Sequence, residues 1–234
     1  MDRGLVGSLR LAAAYVLEGR VTVEGAVIDK PGCLVPAEAH LALDLPAYSY
    51  VSRAGHKLQG ALEAFRIDAR SMTAMDVGAS TGGFTDCLLQ HGVQRVYAID
   101  VGRGLLDYTL RRDERVVLME GTNFRYFEPG GLLSAIDIAT VDVSFISLEL
   151  MLPKIMPCLR QSGILLALIK PQFELDKKEV GRGGVVRSPG MHAKAVDKVR
   201  RAAEGLGLAV IGVLPSPVKG SKGNQEFFIY LRKP

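Results

Sequence analysis

The chain has 234 residues, 48% hydrophobic and 23% charged, enough for one large core or for a small domain beside a medium one. Its 29 Lys and Arg against 25 Asp and Glu leave a formal net charge of +4, a mild basic excess that permits a polyanionic partner without demanding one. Cys33, Cys87 and Cys158 lack C-x-x-C spacing, which argues against a disulfide framework or a metal site; no apolar run reaches the roughly 18 residues of a membrane helix, and the opening residues do not read as a secretory leader, so a cytoplasmic location is expected.

From Ser8 to Gly19, SLRLAAAYVLEG sets apolar residues at helical spacing between a capping serine and a stopping glycine. RVTVEGAVID then predicts a hairpin turning at Glu24 and Gly25, and HLALDL, His40 to Leu45, a further strand. A helix with two or three strands over about 45 residues buries too little surface to be stable alone. PAYSYVSRAG, residues 46–55, breaks the pattern and reads as a linker into a helix at His56–Phe65.

After that helix, apolar strands and helices alternate. TAMDV, RVYAID, RVVLM, AIDIATVDV and GILLALIK read as strands; Gly83–Gln90, LLDYTLRR and SLELMLPKIMPCL read as helices. Strands buried on both faces and joined through helices predict a doubly wound α/β fold with a parallel sheet and right-handed crossovers. A helix near Met191–Leu206 leads to LAVIGVLPSP and QEFFIYL, two strands on a short loop that should end the sheet as an antiparallel pair.

The turn after the first of these strands, DVGASTGGF at Asp76–Phe84, is where such folds bind ligands. Its glycines do not fit G-x-G-x-x-G, and no Gly-Lys-Ser/Thr marks a P-loop. Gly78 to Gly82 satisfy the G-x-S-x-G of a hydrolase nucleophile elbow, with Asp142 and His192 following in the required order. That elbow normally lies mid-sheet, however, and His192 reads as a solvated residue at a helix start. A methyl-donor pocket is the third possibility: glycine lets backbone approach a ligand closely, and Asp100 ends the next strand near the spacing at which an acid binds ribose hydroxyls.

Other strand ends carry polar groups that a core would not retain. TVDVSF delivers Asp142, LLALIKPQFE delivers Lys170, GNQEFFIYL delivers Glu226, and Lys57 stands in SRAGHKL ahead of the sheet. Each alone reads as a surface charge; together they make two lysines and two carboxylates for one cleft.

With these stretches, YVSRAGHKL, AIDVGRGLL and VGRGGVVR, the chain resembles, over Ser49–Leu231, the TlyA family of ribosomal RNA 2′-O-methyltransferases, whose catalytic domain is similar to FtsJ. The resemblance implies a Rossmann-like methyltransferase sheet at 56–234, S-adenosylmethionine as donor, ribosomal RNA or a ribosomal subunit as partner, cytidine as target, and Lys57, Asp142, Lys170 and Glu226 as a catalytic tetrad. RGLVGSLRLAAAYVLEGRVTVEGAVIDKPG resembles, in shortened form, the S-four-type RNA-binding module of that family, a small α+β unit at 1–45.

In this scheme Lys170 acts as general base for a ribose hydroxyl, Asp142 orients it, and Lys57 and Glu226 position the ribose. Gly78, Ser80, Gly82 and Gly83 let backbone approach the methionine part of the donor, and Thr81, Phe84 and Asp142 are further expected donor contacts; Asp100 meets its ribose and Asn123 the adenine side, although Asn123 reads equally well as a turn residue. Arg20 and Arg53, with Lys177, Lys178, Arg182 and Arg187 in one basic loop and Lys219 and Lys222 in another, are the expected phosphate contacts. No aromatics interleave with those loops, so stacking on unpaired bases is not expected. The family also carries a haemolysin label, which makes a membrane-lytic protein one rival; a noncatalytic RNA-binding protein is the other. No strongly basic amphipathic helix supports the first, and the complete tetrad opposes the second.

Overall fold

The computed structural model describes residues 5–6, 12, 15–16, 21–28, 30–43, 50–220 and 223–234. The chain divides into two compact units, Met1–Ser49 and Tyr50–Pro234.

In the first unit β1 (Val21–Val23) pairs antiparallel with both β2 (Ala26–Ile28) and β3 (Leu41–Leu43). Glu24 and Gly25 both take positive φ, 49° and 80°, the conformation of the two-residue turn whose twist matches its flanking strands. The Glu24 carboxylate accepts from the His40 amide at 2.6 Å, fixing the turn to the segment that enters β3. The expected helix over residues 8–19 lies outside the described residues except at Ala12, Tyr15 and Val16, which are helical. Arg20 also lies outside them.

The second unit holds a seven-stranded sheet in the order β6-β5-β4-β7-β8-β10-β9. Its strands are β4 (Thr73–Val77), β5 (Arg95–Asp100), β6 (Val116–Glu120), β7 (Ile136–Val141), β8 (Leu159–Ile169), β9 (Ala209–Pro215) and β10 (Phe227–Arg232). β4 to β8 pair in parallel, whereas β10 inserts antiparallel between β8 and β9. The helices are α1 (Ala54–Ala64), α2 (Gly83–Gln90), α3 (Tyr108–Arg111), α4 (Leu148–Ile155), α5 (Pro171–Glu174) and α6 (Pro189–Gly205).

Alternation along the strands divides the core in two. Met75, Val77, Leu165, Ala167 and Ile169 pack with Leu148, Leu152 and Val199 of α4 and α6. Ala74, Leu166, Leu168 and Phe228 pack with Leu58, Leu62 and Leu88 of α1 and α2. Each of these fully buried leucines contributes about 1.5–3 kcal/mol relative to exposure.

Several boundaries differ from the sequence expectation. α1 starts at Ala54, and Tyr50 packs edge-on against His56 with ring centroids 5.0 Å apart, so residues 50–55, expected to be linker, belong to the second unit. The helix expected over LLDYTLRR contracts to α3, capped by Asp107 through the Thr109 amide. The helix expected through Leu159 gives way at Met156–Cys158 to a 3-10 turn containing Pro157, and β8 starts at Leu159, ahead of GILLALI. The link between β9 and β10 spans residues 216–226, longer than expected.

These connections aim the site. Phe227 opposes Ile169 in the β10–β8 register, so the antiparallel strand brings Glu226 to the same sheet edge at which β8 delivers Lys170. Val77 and Val141, paired across β4 and β7, deliver Gly78 and Asp142 to that edge as well.

Candidate active site

Gly78 is the pivot of the carboxyl edge. Its φ is +85°, and a Cβ there would lie 2.5 Å from the Asp142 carbonyl oxygen, so only glycine lets the ends of β4 and β7 come this close. Ser80 follows with φ 51°. Its amide donates to the Asp100 carboxylate at 2.8 Å, while the Gly102 amide donates to the other oxygen at 2.7 Å. Asp100 thereby stitches the turn after β4 to the turn after β5.

Beneath this turn sits Asp76, fully buried. Thr85 Oγ1 of α2 and Thr140 Oγ1 of β7 donate to its two oxygens at 2.7 and 3.0 Å. Burial pushes its pKa up to about 7, against the lowering effect of those hydroxyls.

Two cavities open on this edge. The larger, about 420 Å³, has Ile99, Val101, Leu105, Phe124 and Met151 as apolar walls and Asp100, Thr122 and Asn123 as polar ones. The smaller, about 280 Å³, is lined by Ser52, Arg53, Lys57, Thr81, Phe84 and Lys170 among others. Gly78, Ser80, Asp142 and Ser144 line both.

At that junction Lys170 Nζ lies 2.5 Å from Asp142 Oδ1 and donates to Ser144 Oγ at 3.0 Å. Lys57 Nζ donates to Glu226 Oε2 at 2.7 Å, with both side chains nearly sealed from solvent. Three of the four expected tetrad residues therefore face one cavity, and the fourth stands behind Lys57. Gly220 leaves room for the Glu226 carboxylate, which a Cβ there would overlap.

Residues 50–233 match the FtsJ-like methyltransferase family. The chain belongs to that family. The 16S/23S rRNA (cytidine-2′-O)-methyltransferase TlyA of Mycobacterium tuberculosis is 42% identical over 231 residues, 98% of this chain and 86% of the relative. Hemolysin A of Brachyspira hyodysenteriae is 36% identical over 230 residues, 98% of this chain and 95% of its own. A solved structure from Streptococcus thermophilus, also named for hemolysin, superposes with a TM-score of 0.80 at 41% identity over 99% of this chain and 85% of that one. The kinship with TlyA expected from the motifs is thus shown, and the chain is a methyltransferase.

As a member of the FtsJ-like family, the chain places the remaining expected residues unevenly. Gly82, with φ +99°, lines neither cavity; the space a Cβ would need is filled by Leu110, and the residue serves the entry into α2. Gly83 does reach the smaller cavity, but its missing Cβ also admits Ser52 and Ala54. Thr81 and Phe84 line the smaller cavity rather than the larger, and Phe84 stacks on Phe228 at 6.0 Å. Asn123 caps the 3-10 turn at Phe124–Tyr126 through the Arg125 amide and also lines the larger cavity.

Among the basic residues, Arg53 is exposed at the smaller cavity. Lys177, Lys178, Arg187 and Lys219 are also exposed; Arg182 starts a 3-10 turn, and Lys222 lies outside the described residues. Buried Asn224, which the sequence reading passed over, accepts from the Val186 amide and donates to the Gly184 carbonyl, both at 2.9 Å, while its own carbonyl accepts from Gly220. It fastens the two basic loops to each other.

The hydrolase alternative fails on geometry. His192 Nε2 lies 2.9 Å from the Val186 carbonyl and its ring packs against Phe227, away from the cavities that Ser80 lines. Phe145, which no sequence pattern marks, is 90% exposed at the larger cavity with φ 65°. No helix among the described residues is long and apolar enough to cross a membrane, and no group of His, Cys, Asp and Glu among them could hold a metal ion.

Proposed function

We propose that this chain transfers a methyl group from S-adenosylmethionine to a ribose 2′-hydroxyl of ribosomal RNA, with cytidine as the target. The observation that carries this proposal is the Lys170–Asp142 pair at the junction of two cavities, one sized for a nucleoside-bearing donor and one open to an acceptor. The named substrate of the M. tuberculosis relative supports the choice of RNA, and a ribosomal substrate supports a cytoplasmic location.

The larger cavity fits the donor. Ile99, Phe124 and Met151 suit the adenine, Asp100 retains lone pairs for ribose hydroxyls, and Gly78 with Ser80 brings backbone against the methionine part. When bound, S-adenosylmethionine supplies an electrophilic methyl on its sulfonium.

This chain's own residues do the rest. Lys170 accepts the proton that leaves the hydroxyl as its oxygen attacks, and the Asp142 carboxylate fixes the direction of the amine and stabilises the ammonium that forms. Ser144 gives the amine a second anchor. Lys57, immobilised by Glu226, orients the ribose within the same smaller cavity; such alignment accounts for a share of the ~7–11 kcal/mol available from proximity and orientation. Exposed Phe145 offers a flat apolar face at the rim of the donor cavity. Arg53, with Lys177, Lys178, Arg187 and Lys219, meets phosphates, and the amino-terminal unit adds a second hold on RNA.

Transfer of labelled methyl to isolated small and large ribosomal subunits, followed by mapping of the product, tests this function. Lys170→Ala is expected to lower turnover by about 100-fold or more while donor affinity is kept. Full turnover in Lys170→Ala would remove the general base from the scheme.

A further inference from the structure

Glu174 has no place in the chemistry just described, yet it is 4% exposed and carries a carboxylate into the interior. A buried carboxylate is costly unless it is bonded, and this one is bonded to a single segment. Its Oε2 accepts from Ser147 Oγ at 2.5 Å and its Oε1 from the Leu148 amide at 2.9 Å. Ser147 Oγ in turn accepts from the Glu149 amide at 3.2 Å. The carboxylate therefore sits at the start of α4, where free amides and the helix dipole favour negative charge. Burial pushes its pKa above the usual carboxylate range, and the Leu148 and Ser147 donors oppose that rise.

The two segments joined in this way are those that carry the reacting pair. Asp142 begins the loop that ends at Ser147; Lys170 begins the turn that ends at Glu174, with the Phe173 amide bonded to the Lys170 carbonyl at 2.8 Å. Within that turn Lys170 and Glu174 stand four residues apart. The loop from Asp142 is strained, because Phe145 holds φ at 65°, and such backbone persists only where its surroundings hold it. Three ties cross between the segments: Lys170 to Asp142 and Ser144 on the inside, the Phe145–Phe173 ring contact at 5.0 Å in the middle, and Glu174 at the far end. Lys198 of α6 braces the outside by donating to the Glu174 carbonyl at 3.0 Å.

We infer that Glu174 is a positioning residue for methyl transfer, a clamp that keeps the Asp142 loop and the Lys170 turn in the register that aligns the amine with the acceptor hydroxyl. The inference rests on Lys170 being the base.

The test measures kcat, KM for ribosomal subunits and affinity for S-adenosylhomocysteine in full-length Glu174→Ala, Glu174→Gln, Ser147→Ala and the Ser147→Ala/Glu174→Ala double variant, with Lys170→Ala alongside. Glu174→Ala is expected to lower kcat by about 100-fold, the scale of a roughly 1 Å misplacement, with KM and product affinity within about threefold. Glu174→Gln can accept from Leu148 and donate to Ser147 Oγ, so it is expected to recover most of the loss. The Ser147 and Glu174 losses are expected to overlap in the double variant, as they do for partners in one network. Wild-type kcat in Glu174→Ala beside an inactive Lys170→Ala sinks the clamp alone. A parallel fall of kcat, affinity and folded fraction, with no recovery by glutamine, also overturns it, since that pattern describes a merely structural group. Full activity in Lys170→Ala removes the base assignment and the clamp with it.

Discussion

Lys57 and Glu226, 169 residues apart in sequence, form a 2.7 Å ion pair with 7% and 2% of their side chains exposed. Removing one partner of such a pair leaves a buried, uncompensated charge, which costs about 3–5 kcal/mol, whereas replacing both by apolar groups of similar volume is often neutral. Lys57→Ala and Glu226→Ala are each expected to lose stability on that scale in denaturant unfolding, and Lys57→Met/Glu226→Leu to stay near wild type while losing methyl transfer. A double variant that keeps activity would separate this pair from the chemistry.

Gly78→Ala is expected to weaken binding of S-adenosylhomocysteine. Its Cβ would press on the Asp142 carbonyl from a backbone at φ +85°, a strain of about 1–3 kcal/mol before any displacement of neighbours. Calorimetry with the folded variant checks this; unchanged affinity would mean that the β4 and β7 ends can part without disturbing the cavity.

Asp100→Asn tests the donor-side carboxylate. One amide oxygen can replace only one of the two acceptors now serving Ser80 and Gly102, and a hydrogen bond to a charged group is worth about 1.5–3 kcal/mol. Affinity for S-adenosylhomocysteine is expected to fall by about 10-fold or more, with turnover at saturating donor affected less.

Asp76 supplies a pH signature. Its pKa rises from 3.8 to about 7 in the folded protein, with burial as the main cause. Between those values the folded state holds a proton that the unfolded chain has released, so this group's effect on stability becomes less favourable as pH rises through the window and is fully unfavourable above it. Asp76→Asn keeps a donor and an acceptor for Thr85 and Thr140 and carries no charge. Relative to wild type it is expected to gain a few kcal/mol at pH 8 and little near pH 4, read as the difference between thermal unfolding curves. Equal curves at both pH values would show that Asp76 is not the group responsible.

The sheet was legible because its cause is local. GILLALI is apolar on both faces, and TAMDV and RVYAID are nearly so, which only a doubly covered parallel strand accommodates. Helix ends were less legible: α3 starts only at Tyr108, after the Asp107 cap, and Leu106 ahead of it packs against Gly82 of a distant segment. The roles of Gly82 and Asn224 were not legible for the same reason, as each depends on what lies beside it in space. Phe145 was not legible because no periodicity marks one exposed aromatic in a strained loop.

By itself the amino-acid sequence determined the alternation of strand and helix, the glycine turn after β4, and the identity of the polar groups left at strand ends, since burial and backbone freedom are properties of short segments. Tertiary structure alone decided which of those groups meet. The antiparallel entry of β10 brings Glu226 to Lys57, and the close approach of β4 and β7 leaves Asp142 facing Lys170. Charges 169 residues apart become neighbours only when strand direction and register are fixed, and that register is set by the packing of the whole sheet.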